Sequence, residues 1–241
     1  MSRPSIRRAL KRSGAVVPPR PPRTWPRNLG RIPPPKVFLP GEGPEAGPVD
    51  FAAIFGRTAP VEMEIGVGKG RYLLNAAAAD RTRDFFGLEI EAEYAAIVRL
   101  KAERAGLTNL RVERLDGKAF VASRLAPGCL AALHVYFPDP WPKKRHHKRR
   151  LVDGAWAAAA ARALAPGALL RVASDHAGYW AVLDAVLSAE PLLARLSDEE
   201  AGEWSTGTNY ELKFAKSGRP IRKAVFRRVT APRSARSPGA A

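Results

Sequence analysis

The sequence is poor in cysteine, in acidic residues and in long apolar runs. Its single cysteine, Cys129, excludes an intrachain disulfide and a cysteine-based metal cluster. The alanine-rich stretch at 155–165 is interrupted by Arg162 and is shorter than the roughly 18 apolar residues that a membrane-spanning helix needs. The N-terminal arginines precede prolines rather than an apolar segment, so we expect no secretory signal. Together these absences favour a cytoplasmic protein with no membrane partner.

Acidic residues are outnumbered: 23 Asp and Glu stand against 40 Lys and Arg, which gives a formal net charge of +17. Self-repulsion of this size is typical of proteins that bind a polyanion, so a nucleic acid is the expected partner. The 241 residues are enough to bury one sizeable core. Composition does not distinguish a monomer from a homodimer.

Composition also divides the chain into three parts. Residues 1–48 contain ten Lys or Arg and twelve Pro with little apolar periodicity, which predicts a basic, proline-rich arm without a packed core. Residues 49–230 are the expected folded domain. The Ser-, Pro- and Ala-rich residues 231–241 are predicted to be a frayed tail.

Strand-like and helix-like segments alternate through the folded part. This alternation predicts an α/β fold with one doubly wound, mostly parallel sheet of about seven strands. The predicted strands are 61–65, 84–89, 109–114, 130–137, 168–173, 192–196 and 221–229. The predicted helices between them are 69–79, 91–105, 118–124, 152–164 and 176–188.

A glycine-rich turn, Glu64-Ile-Gly66-Val-Gly68-Lys-Gly70, joins the first predicted strand to its helix. Glycines at this point let the backbone turn tightly and approach a ligand closely, as in nucleotide-binding folds. The spacing is not the dinucleotide fingerprint, because Arg71 stands where the third glycine is required. A carboxylate directly before the glycines also disfavours a phosphate ligand.

Four acids, Glu64, Glu89, Asp116 and Asp139, lie at or just past the carboxyl ends of successive predicted strands. In parallel sheets these ends meet at one edge, where ligands bind. Each acid alone could be a surface or helix-cap residue, but four in register indicate an acidic pocket in a basic protein. Such a pocket suits a cationic ligand with an adenosine and an ammonium, which describes S-adenosylmethionine, better than NAD or ATP.

The segment after the fourth strand places Asp139 between two prolines and then enters a cationic block at 143–150. Proline fixes its own φ and biases the preceding residue toward extended geometry, so we expect a stiff turn that aims the carboxylate. Trp141 could stack on a base or only pack the loop. His146 and His147 lack a third ligand at a recognisable spacing, so no metal is predicted.

These motifs resemble the bacterial tRNA (guanine-N7)-methyltransferases, which use S-adenosylmethionine to modify the variable-loop guanine conventionally numbered 46. The resemblance spans about residues 50–229. It rests on Glu64-Ile-Gly-x-Gly-x-Gly70, Gly87-Leu-Glu89-Ile, Phe137-Pro-Asp-Pro-Trp-Pro-Lys143 with Arg145-His-His-Lys-Arg-Arg150, Ala173-Ser-Asp175, and Thr208-Asn-Tyr-Glu211 followed by Lys213-Phe214. It implies a Rossmann-like class I methyltransferase fold. The long proline-rich N-terminus and Arg222, where many relatives have histidine, depart from the family pattern.

Carried over by position, the resemblance implies roles for individual residues. The expected cofactor-binding residues are Glu64, Gly66, Gly68, Gly70, Glu89, Asp116 and Asp139, with Asp139 also catalytic. The expected substrate-binding residues are Lys143, Asp175, Thr208, Asn209, Tyr210 and Glu211. The cationic block predicts RNA phosphate contacts for Lys144, Arg145, Lys148, Arg149 and Arg150.

Guanine N7 needs no general base, because its lone pair is free, but the ring gains positive charge as it is methylated. Asp139, with Asp175 or Glu211, is expected to accept hydrogen bonds from the base and offset that charge. Two alternatives stay open: a methyltransferase acting on another RNA base, and a non-catalytic RNA-binding relative. A dehydrogenase is disfavoured because the pocket acids would repel the phosphates of its cofactor.

Overall fold

A computed structural model describes residues 47–230 as one seven-stranded sheet in the order β3-β2-β1-β4-β5-β7-β6. Strands β1 to β5 are parallel, and β7 runs antiparallel to both β5 and β6. The strands are β1 Val61–Ile65, β2 Asp84–Glu89, β3 Leu110–Arg114, β4 Leu130–Tyr136, β5 Leu164–Ser174, β6 Leu193–Arg195 and β7 Arg222–Arg228. The predicted doubly wound fold is confirmed.

Helices connect the strands. They are α1 Phe51–Phe55, α2 Arg71–Ala79, α3 Ala92–Arg104, α4 Gly117–Ser123, α5 Gly154–Ala163, α6 Ala177–Ala189, α7 Asp198–Ala201 and α8 Asn209–Ser217, with a 3-10 helix at Lys144–Arg149. Several begin at a side-chain cap that the sequence supplies, such as Asp153 for α5 and His176 for α6. Within residues 47–230 no helix is long and apolar enough to cross a membrane.

Strands β2 and β4 are buried along almost their whole length, as expected of parallel strands covered on both faces of the sheet. One cluster includes Phe86, Leu133 and Trp156, and a second lies around Leu73 and Val98 under α2 and α3. Burial of these side chains orders the strands side by side. The carboxyl ends of β3, β2, β1 and β4 therefore meet at one edge of the sheet.

The predicted elements between β1 and α6 agree with the structure to within a few residues, with one marked exception. Strand β5 begins at Leu164, before the Pro166-Gly167 pair that we expected to precede it. The register with β4 shifts between Leu130 and Ala132, so the Pro-Gly pair is accommodated as an irregularity in the strand. Helices α1, α7 and α8 were not predicted. They are short, and side-chain caps at their first turns, rather than apolar periodicity, mark where they begin.

The predicted N-terminal arm, apart from residues 47 and 48, and the predicted C-terminal tail at 231–241 lie outside the described residues. These two domain predictions therefore stay predictions.

Candidate active site

A cavity of about 950 Å³ opens at the sheet edge where β1, β2, β3 and β4 end. All four predicted acids, Glu64, Glu89, Asp116 and Asp139, line it. The N-terminal end of α8 lines it as well, although α8 is distant in sequence. The sheet edge thus brings strand-end carboxylates and a late helix to one place.

The glycine turn adopts backbone geometry that only glycine takes readily. Gly66, Gly68 and Gly70 have φ values of 79°, 49° and 73°. Gly66 and Gly68 line the cavity, whereas Gly70 does not. A Cβ on Gly70 would lie 2.6 Å from both γ-methyl carbons of Val98, so this glycine lets α2 pack closely on α3. The structure therefore divides the predicted glycine set into two cavity residues and one packing residue.

Glu64 is the most deeply buried acid of the cavity, with 2% of its surface exposed. Burial and the nearby Glu89 carboxylate raise the pKa of Glu64 well above its usual value. Its Oε2 atom has no hydrogen-bond partner among the described residues. An orphaned buried carboxylate oxygen beside a cavity fits a cationic hydrogen-bond donor, such as an ammonium.

Glu89 and Asp116 are held by backbone donors. Gly68 donates its N–H to Glu89 Oε2 at 2.7 Å, and Glu91 donates to Oε1 at 3.0 Å. Lys118 and Ala119 donate their N–H groups to Asp116 Oδ1, which makes Asp116 the cap of α4. Asp116 thus has the helix-cap role that each acid alone could have had, and it also lines the cavity.

The Pro-Asp-Pro-Trp turn is strained on both sides of Asp139. Phe137 has φ 54° and Trp141 has φ 40°, the two non-glycine residues with positive φ among those described. The expected extended geometry before Pro138 is therefore wrong for Phe137, whose N–H donates to Ala173 O at 2.8 Å and fixes the reversal. Strain of this kind persists only where the surroundings impose it. Asp139 at the top of the turn is exposed and faces the cavity.

Contacts with the basic segment hold this turn. The Arg149 guanidinium lies 4.9 Å from the Trp141 ring centre, and His146 contacts the same ring edge-on at 5.7 Å. Arg150 Nε donates to Pro140 O at 2.9 Å, and its guanidinium lies over the Tyr179 ring. Trp141 packs the loop while also lining the cavity. Arg150 therefore differs from the other predicted phosphate contacts, because its hydrogen bond anchors the turn.

The remaining cations stay available for an anionic ligand. No residue of the 3-10 helix Lys144–Arg149 is buried. Lys148 and Arg149 line the cavity, whereas Lys143, Lys144 and Arg145 lie outside its wall. The segment thus extends positive charge from the cavity mouth onto the protein surface.

The predicted substrate residues separate into two groups. Thr208, Asn209 and Tyr210 line the cavity. Glu211 does not: its Oε2 accepts from Gly207 N at 2.9 Å, from Thr206 Oγ1 at 3.2 Å and from the Ser205 hydroxyl. Asp175 also lies outside the wall and pairs with Arg219 at 2.7 Å. The carboxylates of Glu211 and Asp175 are used to hold the turn before α8 and the segment after it.

Sequence reasoning missed a buried polar network under the cavity. Tyr72 and Tyr136 line the cavity, and their hydroxyls lie 3.0 Å and 2.9 Å from the His134 ring nitrogens Nε2 and Nδ1. His134 Nε2 also lies 3.1 Å from Glu62 Oε2. Burial lowers the pKa of His134, which opposes the effect of the neighbouring Glu62 carboxylate. The available signal was polar residues at a period of two in β1 and β4, which places them on one face.

Comparison with known proteins reveals close relatives. The chain is 44% identical over 136 residues to a tRNA (guanine-N(7)-)-methyltransferase of Halorhodospira halophila, covering 56% of this chain and 59% of that one. It is 44% identical over 131 residues to one of Streptomyces coelicolor, covering 54% and 48%. The match thus spans about half the length of these curated relatives. The solved 16S rRNA methyltransferase KamB matches at 15% identity with TM-score 0.49, over 72% of this chain and 90% of that one.

The family described as putative methyltransferase matches residues 58–224. This range runs from the residues before β1 into β7 and includes the whole cavity wall. The family resemblance predicted from the motifs is confirmed. The chain belongs to this methyltransferase family.

Proposed function

We propose that this protein transfers a methyl group from S-adenosylmethionine to N7 of the guanine at position 46 of tRNA, in the cytoplasm. The observation that carries the proposal is a single cavity whose wall combines strand-end carboxylates with the cations Lys148 and Arg149. The names of the matched relatives support the same activity. An acidic crevice suits a cationic cofactor, and an adjoining basic surface suits a polyanion.

The cavity residues fit S-adenosylmethionine. The unpartnered Oε2 of Glu64 is suited to the ammonium of the methionine part. Gly66 and Gly68 keep the wall open, since no atom lies within 4 Å of where their Cβ would be. Glu89 and Asp116 are suited to the adenosine, because each carboxylate keeps acceptor capacity beyond its backbone bonds. Each Glu89 oxygen accepts one backbone bond, and both backbone bonds of Asp116 go to Oδ1. The bound cofactor would supply a methyl group on a positively charged sulfur.

The protein's part in the reaction is to orient the base and stabilise its charge. Guanine N7 must approach the methyl in line at about 3 Å, so positioning contributes most of the rate. Asp139 is an exposed carboxylate on the β4 side of the cavity and would accept from the base as positive charge develops. Because Asp175 and Glu211 bind other parts of the protein, Asp139 takes the main role.

Recognition of the RNA would rest on shape and charge. A-form helices hide guanine N7, so the target base must be splayed out of the tRNA into the cavity. Lys143, Lys144, Arg145, Lys148 and Arg149 would contact phosphates, and affinity should fall steeply with salt. Adenine would leave the carboxylate without the exocyclic donor of guanine, which predicts strong discrimination.

The test is methyl transfer from labelled S-adenosylmethionine to two unmodified tRNA transcripts that differ only in guanine or adenine at position 46. We expect N7-methylguanosine on the guanine transcript alone, and a loss of about a hundredfold or more in Asp139→Ala. Asp198→Ala, on the surface helix α7, is the matched control and should keep full activity.

Two outcomes would overturn the proposal in different ways. Methylation of another base would keep the cofactor and refute the guanine substrate. Cofactor binding without transfer to any tRNA would favour a non-catalytic RNA-binding protein.

A further inference from the structure

Two tyrosines are the exposed aromatic residues of the described chain, and both line the cavity. Tyr94 is 37% exposed and Tyr210 is 53% exposed. Tyr94 belongs to α3, which packs on β2 and β3, whereas Tyr210 contacts Phe137 at the end of β4. Because β1 lies between β2 and β4, the two tyrosines are held by elements on opposite sides of β1. Tyr210 is thus on the side of Asp139 and away from the acids that follow β2 and β3.

The Tyr210 ring is held by two other rings. Its centre lies 5.6 Å from that of Phe137 and 5.8 Å from that of Phe214. Phe137 and Phe214 are also 5.6 Å apart, so the three rings form a closed triangle. Separations of 4.5 to 7 Å are favourable for aromatic pairs. Tyr210 therefore has a defined position in spite of its exposure.

The strained turn explains why Phe137 can serve as the support. Its positive φ redirects the chain directly before Pro138 and Asp139, and its N–H is fixed to Ala173 on β5. The same backbone reversal thus sets the Phe137 ring against Tyr210 and the Asp139 carboxylate toward the cavity. One turn thus positions both an aromatic surface and a carboxylate. This pair suits a planar base that carries hydrogen-bond donors and gains positive charge during the reaction.

We infer that Tyr210 is the stacking surface for the target base, supported by Phe137 and Phe214, and that its ring stabilises the cationic base as it is methylated. This inference rests on the proposed function and specifies how that substrate is held. Stacking on an aromatic ring tolerates any base, so Tyr210 contributes affinity and orientation while the carboxylate selects the base. The electron-rich face also attracts the positive charge that N7 methylation creates.

The test uses three substitutions within α8. Tyr210→Leu removes the ring, Tyr210→Phe keeps it, and Leu212→Ala alters an exposed apolar residue of α8 that does not line the cavity. We expect kcat/KM for methyl transfer to fall about tenfold to a hundredfold in Tyr210→Leu and to stay within threefold in the other two. Affinity for S-adenosylmethionine should be unchanged in all three, which also reports that they fold.

A second readout is independent of methyl transfer. A transcript with 2-aminopurine at position 46 fluoresces more when the base is not stacked on a ring. At saturating protein, Tyr210→Leu should give a brighter complex than the wild type, whereas Tyr210→Phe and Leu212→Ala should match the wild type.

The outcomes separate this inference from the proposed function. Equal transfer rates and equal fluorescence in Tyr210→Leu and Leu212→Ala would refute the stacking surface. A loss in Tyr210→Phe as large as in Tyr210→Leu would also refute it, since the hydroxyl would then be the active group. Ring-dependent fluorescence without methyl transfer by the wild type would support the stacking surface and refute the proposed reaction.

Discussion

The two sides of the cavity are built differently. On the proposed cofactor side, Glu64 and Glu89 are buried, and Glu89 is fixed by backbone N–H groups from the turns that follow β1 and β2. On the proposed RNA side, Asp139 and Tyr210 are exposed, and the turn is held by ring contacts and by Arg150. The difference suits a small ligand that is enclosed and a large folded one that docks on the surface.

The enclosed side carries the greater cost to stability. Burial of the Glu64 carboxyl, and to a smaller extent repulsion by the nearby Glu89 carboxylate, raises the pKa of Glu64. Because a cationic ligand would offset both effects, the crevice is organised for a bound state rather than for the stability of the empty protein.

The largest expected effect is therefore at Glu64. Glu64→Gln keeps the shape and removes the charge, and we expect affinity for S-adenosylmethionine to fall about a hundredfold. The unfolding free energy of the ligand-free protein should rise, by roughly 1 kcal/mol or more, or about 2–4 °C in melting temperature. Calorimetric titration and thermal melts measure the two changes.

The pH dependence gives the sign of the Glu64 effect a further check. The pKa of Glu64 is raised in the folded state, so the folded protein keeps this proton at a pH where the unfolded chain has lost it. The free energy of unfolding therefore falls as the pH rises above about 4.5, the ordinary pKa of a glutamate. The stability advantage of Glu64→Gln over wild type should grow from that pH upward. A variant that is less stable than wild type at pH 8 would contradict this account.

The glycine turn allows a comparison within the enclosed side. Both glycines have positive φ, so alanine strains the backbone at either position. Gly70→Ala would in addition force a Cβ to 2.6 Å from Val98, whereas Gly68→Ala meets no atom within 4 Å. We expect the free energy of unfolding, measured by chemical denaturation, to be about 2 kcal/mol lower for Gly70→Ala than for Gly68→Ala. Cofactor affinity should show the opposite ranking, because Gly68 alone of the two lines the cavity. Equal stability losses would mean that Val98 moves aside freely.

The smallest expected effects separate two neighbouring cations on the exposed side. Arg150→Ala should lower stability by about 1 kcal/mol through its lost bond to Pro140 and its lost contact with Tyr179. Its methyl transfer should fall about tenfold, since the turn that carries Asp139 loosens. Lys144→Ala should leave stability within about 0.5 kcal/mol and reduce the salt slope of tRNA binding by about one. If tRNA binding by the two variants had the same salt slope, Arg150 could not be distinguished from Lys144 as an anchor of the turn rather than a phosphate contact.

Much of the enclosed side could be predicted from local sequence. The strand ends, Gly66, Gly68 and the acids Glu64, Glu89 and Asp116 follow from apolar runs, glycine chemistry and the geometry of parallel sheets. On the exposed side, the sequence identified the right segments but not the use of each side chain. Glu211 and Asp175 hold turns, Arg150 anchors a loop, and Phe137 departs from the geometry expected before proline. The buried network around His134 was also missed, because His134 is 62 residues from Tyr72 and 72 residues from Glu62 in the sequence.

By itself, the sequence determined the doubly wound sheet, the methyltransferase family and the acidic cavity edge, because these depend on periodicity and on residues close together along the chain. Only the tertiary structure decided which carboxylates remain open to a ligand and which are bound within the protein. It also brought α8 to the end of β4 and set Tyr210 against Phe137, 73 positions earlier by residue number. The physical reason is that a side chain's hydrogen bonds and exposure are fixed by neighbours in space, and packing of the sheet selects those neighbours.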